Sequence, residues 1–106
     1  MLPDSVAAIE VPPLSDEVRE FCERHALFGH LAKALELAHE YFTIVGEPVI
    51  NWEHDPDNDD EYVLIEVWTR GSSRECAKAD WRYAGAWTQF AKLPEVRLIR
   101  FVPHSC

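Results

Sequence analysis

The stretch His54 to Trp68, HDPDNDDEYVLIEVW, decides how this chain is read. Asp55, Asp57 and Asp59 alternate, and Glu66 follows eleven residues after Asp55. These are ligand positions of a helix-flanked calcium loop. Position six of that loop needs a glycine for its sharp turn; here it is Asp60, and Pro56 stiffens the segment. The flanks decide against the motif. PVINWEH (48–54) and EYVLIEVWT (61–69) are rich in β-branched and aromatic residues and read as strands, not helices. A strand advances about 3.3 Å per residue, which carries Glu66 away from the aspartates. The reading is therefore a charged hairpin turn between two antiparallel strands, because Asp and Asn are turn formers.

Gly71 ends the second strand, and Ser72-Ser73-Arg74-Glu75 follows as a capping box. The helix it opens carries Cys76, Ala79, Tyr83, Ala86, Trp87 and Phe90 on one stripe, and Pro94 stops it. A helix over 73–92 is long enough to return the chain parallel to the second strand. EVRLIRFV (95–102) reads as the last strand, closed by Pro103.

Upstream, Ser15 is an N-cap with Asp16 and Glu17 in the first turn. Val18, Phe21, Cys22, His25 and Phe28 recur at helical spacing, and Gly29 breaks the phase. A second helix carries Leu31, Ala34, Leu35, Ala38 and Phe42, and Gly46 and Pro48 end the helical region. Pro3, Pro12 and Pro13 make residues 1–14 an extended N-terminal arm, leaving 15–106 as one α+β domain. The predicted order is α-α-β-β-α-β: a three-stranded, mostly antiparallel sheet with helices packed on one face.

The net charge is −9, which repels nucleic-acid phosphates and anionic membranes. It is unevenly placed: residues 1–66 carry −13 and residues 67–106 carry +4. No stretch has the length of a membrane span, and the N-terminus lacks the basic start of a signal peptide. Cys22, Cys76 and Cys106 are odd in number and widely spaced, so they read as free thiols of a reducing, cytoplasmic compartment. The first two are expected in the core and Cys106 at the surface.

No catalytic set assembles. Ser72 and Ser73 are accounted for by capping, Cys76 falls on an apolar stripe, and no glycine cluster suits a phosphate. No motif calls for a cofactor. His25 lies on the apolar stripe of the first helix and is expected as a core histidine. The alternative enzymatic reading is a metal-dependent hydrolase on the acidic loop 54–60, with His54, Asp55, Asp57 and Asp59 as ligands. Arg74, Lys78 and Arg82 form a basic stripe, which a solvated helix face explains without nucleic acid.

The aromatic surplus points elsewhere. The second strand sets Val63, Ile65 and Val67 on one face and Leu64, Glu66 and Trp68 on the other, and helices can cover only one of them. Trp81 falls off the main stripe of the third helix, next to Arg82. Exposed tryptophans and leucines mark contact sites, and tryptophan and arginine are common anchors. Leu64, Trp68, Trp81 and Arg82 are the expected interface residues. The function expected is a small acidic protein-interaction module, either a homodimer or a regulator, such as an antitoxin-like inhibitor, of a basic partner.

Overall fold

A computed structural model describes residues 12–105. Seven elements follow in order: α1 (Asp16–His25), α2 (Phe28–Tyr41), β1 (Thr43–His54), β2 (Glu61–Arg70), α3 (Ser73–Phe90), a single turn α4 (Glu95–Leu98) and β3 (Ile99–Ser105). The α-α-β-β-α-β order of the longer elements matches the sequence reading. The N-terminal arm falls almost wholly outside the described residues, as does Cys106.

The sheet has the strand order β1-β2-β3. β1 and β2 form the antiparallel hairpin, and β3 joins β2 in parallel through the α3 crossover. The sheet is therefore mixed, one pairing of each kind, where the sequence reading had it mostly antiparallel. A third strand reached through a crossover helix must run parallel to its neighbour, and here that neighbour is the central strand.

The described helices all pack on one face of the sheet. Val63, Ile65, Val67 and Thr69 of β2 are fully buried there, under Val18, Phe21, Leu31 and Leu35 of α1 and α2. Tyr83 of α3 stacks on Phe101 of β3 at 4.2 Å between ring centroids. Burying each large apolar side chain contributes about 1.5–3 kcal/mol. The buried Thr69 hydroxyl donates to the backbone carbonyl of His104 and contacts the Cys76 thiol. Burial raises the Cys22 thiol pKa.

Four local readings need correcting. The break between α1 and α2 falls at Ala26–Leu27, and Gly29 lies inside α2. Ala26 takes the left-handed conformation (φ 54°), with Leu27 N–H donating to Cys22 O and Ala26 N–H to Glu23 O, a Schellman ending. It turns Leu27 fully into the core, so the buried leucine, not the glycine, sets the break. His25 is exposed on α1 and packs its ring against Phe21 at 4.5 Å. β1 begins at Thr43, five residues before Pro48; Gly46 (φ 77°) makes a bulge where the β1–β2 register shifts between Val45 and Val49. Finally, Glu95–Leu98 is a helical turn, fixed in part by the Trp87 indole N–H donating to Val96 O, and β3 runs through Pro103 to Ser105.

Proline is tolerated in β1 and β3 because both are edge strands. Pro48 and Pro103 each remove one N–H that an added strand would need.

Candidate functional site

The residues of β2 that point away from the helices are Tyr62, Leu64, Glu66 and Trp68, and no described helix covers them. Strand pairing builds them into a surface in rows. Glu53 lies beside Tyr62. Leu64 sits between Asn51 and Arg100, and Glu66 between Val49 and Val102. Trp68 sits between Val45 and His104. The valines are exposed, Trp68 is 39% exposed, and Leu64 is half-buried by its neighbours.

The polar groups of this face are held in place. His104 Nε2 lies 2.9 Å from Glu66 Oε2, and the His104 ring stacks on Trp68 at 5.2 Å. The Arg100 guanidinium stands 3.8 Å over the Tyr62 ring. Among the described residues, neither Arg100 nor Glu53 forms an ion pair. The face thus carries Leu64, Trp68 and three valines around the His104-bound Glu66, with Glu53 toward the β1 edge and Arg100 and His104 toward the β3 edge.

Leu64 and Trp68 stand where the sequence placed them, on the uncovered face. Trp81 and Arg82 do not join them. Both project from α3, which lies on the opposite side of the sheet. Trp81 is 79% exposed and lines a shallow groove of about 720 Å³ with Tyr41, Arg82 and Gly85. The predicted aromatic cluster is therefore two surfaces, with the sheet and a helix layer between them. Val45, Val49, Arg100 and His104 were missed in the sequence. The signal for Arg100 and His104 was period-two alternation through 99–105, and His104 was lost because the strand was closed at Pro103. Lys78 and Arg82 of the basic stripe line a hollow together with Glu40 and Glu75.

The acidic segment is a hairpin turn. The Asp55 carboxylate accepts from Asp57 N–H and the Asn58 side chain accepts from Asp60 N–H. Asp59 takes φ 59°, and its carboxylate contacts His54 Nε2 at 3.2 Å. Glu66 lies on the sheet face, bound to His104. Among the described residues no three His, Cys, Asp or Glu side chains gather as metal ligands. The set His54, Asp55, Asp57 and Asp59 is reduced to one paired contact, with Asp55 committed to its own turn. Also among the described residues, no helix is long and apolar enough to cross a membrane.

The architecture defines an α+β protein with a mixed sheet whose described helices lie on one face. No protein-family model, curated protein or solved structure matches the chain.

Proposed function

We propose that this chain is a protein-interaction module that works through the uncovered face of its sheet. The observation that carries this reading is the grouping of Leu64 and Trp68 with Val45, Val49 and Val102. Exposed apolar side chains gathered on one face mark a contact surface, and water leaving them on association supplies the driving force. Trp68 is the natural anchor, since its ring is already oriented by His104 and little side-chain freedom remains to be lost. The partner is a second copy of the chain or a basic protein drawn by the acidic N-terminal part. In the second case the module acts as a regulator or antitoxin-like inhibitor.

The test is the double variant Leu64→Ala/Trp68→Ala. We expect loss of self-association and of partner capture, with the helical circular dichroism retained. A folded double variant with unchanged association would overturn the reading.

A further inference from the structure

We infer that a second copy of this chain covers the uncovered face, about a two-fold axis that runs parallel to β2 past Leu64 and Trp68. The inference rests on the reading of that face as a contact surface, and the distribution of charge across it selects the partner and the axis.

Glu53 lies on the β1 side, and Arg100 and His104 lie on the β3 side, with β2 between them. Glu53 is level with Tyr62, and Arg100 is one row along, level with Leu64. A half-turn about an axis along β2 exchanges the β1 and β3 sides and keeps the level. It brings Glu53 of each copy within one row of Arg100 of the other, whose guanidinium already leans toward that row over Tyr62, and sets Val49 level with Val102. A half-turn about an axis across the strands at the Glu66 row would instead set Arg100 against His104 and bring no β3 base opposite Glu53, which stays on the β1 side. Complementarity therefore favours the first axis. Both charges are available, since among the described residues neither forms an ion pair. The same half-turn sets Glu66 level with Glu66 of the other copy, each held by His104 of its own chain at 2.9 Å.

Other partners fit less well. Nucleic acid would meet a net charge of −9. A basic protein would be drawn to the acidic hairpin turn, whereas this face carries both signs. Repulsion between two acidic copies is screened beyond about 8 Å at physiological salt, while contacts across the face are direct. Aligned sheets pack about 10 Å apart, a gap that Leu64 facing Leu64 and Trp68 facing Trp68 across the axis fill. Three strands make a narrow face, so the dimer belongs with transient, moderate-affinity contacts.

Sedimentation equilibrium of the full chain, from about 1 μM to about 500 μM, tests this, because small faces pair in that range. The expected result is a concentration-dependent dimer, weakened at least about tenfold by Arg100→Glu and returned close to wild type by Arg100→Glu combined with Glu53→Arg. Circular dichroism of each variant confirms the fold. A wild-type monomer throughout the range would overturn the second-copy inference and leave the face to a different protein. A dimer sensitive to Trp68→Ala but not to charge reversal, or not rescued by the double exchange, would overturn the axis alone. A dimer unmoved by Trp68→Ala would overturn both the inference and the reading beneath it.

Discussion

Ala26 takes a backbone conformation that costs a non-glycine residue about 1–2 kcal/mol, and it does so to end α1 and bury Leu27. Glycine meets that geometry without strain but has more freedom in the unfolded chain, so Ala26→Gly should gain roughly 0.5–1 kcal/mol in urea unfolding. Tyr83 gives a second residue-scale expectation. Burial, and then the nearby Asp80 carboxylate, raise its pKa in the folded chain. A raised folded value means that its contribution is intact below the unfolded tyrosine pKa of about 10 and falls away above it. Alkaline unfolding should therefore set in above about pH 10 and be eased in Tyr83→Phe, followed by near-ultraviolet circular dichroism. Glu75 has the opposite sign. Hydrogen bonds from the Ser72 N–H and hydroxyl lower its pKa, so its stabilising part is present above the ordinary carboxylate range and is lost as pH falls through the lowered value. Glu75→Gln should flatten the acid limb of the stability profile.

At the scale of elements, α3 shows what sequence can specify. Its capping box forms in both directions, with Ser72 N–H donating to Glu75 and Glu75 N–H to Ser72 Oγ, and Ser72→Ala should cost about 1 kcal/mol of stability. Gly85 sits mid-helix with open space where a Cβ would stand, so Gly85→Ala should gain up to about 1 kcal/mol. Both changes are measured by thermal or denaturant unfolding. The legible features are those written locally: caps at Ser15 and Ser72, the helical stripes, alternation along β2, and Asx turns in the hairpin. What escaped was set by tertiary packing. Leu27 moved the helix break away from Gly29 because a buried leucine outweighs a glycine's looseness. Trp87, reaching Val96, held Glu95–Leu98 in a turn that the β-prone residues Val96 and Leu98 did not announce. Pro103, read as the strand's end, lies inside β3 because that strand is an edge, and His104 was lost beyond it. The site was therefore half-legible: Leu64 and Trp68 followed from β2 alone, whereas their neighbours required the register of all three strands.

For the whole molecule, the separation of Trp68 from Trp81 matters most. The two lie on opposite sides of the sheet and should respond independently. Trp81→Ala should leave stability within about 0.5 kcal/mol and self-association unchanged, because a largely exposed side chain has little packing to lose. Trp68→Ala should act on association instead. The prolines of the two edge strands bear on a different question, that of where growth stops. With Pro48 at one border of the sheet and Pro103 at the other, chains can meet face to face but are poorly suited to queue strand beside strand. Pairing through faces closes on itself, whereas pairing through borders would run on without end. A concentrated solution should therefore stay clear, holding small discrete particles instead of dye-binding fibres. Replacing both prolines with threonine would remove that restraint, with thioflavin fluorescence over days as the readout.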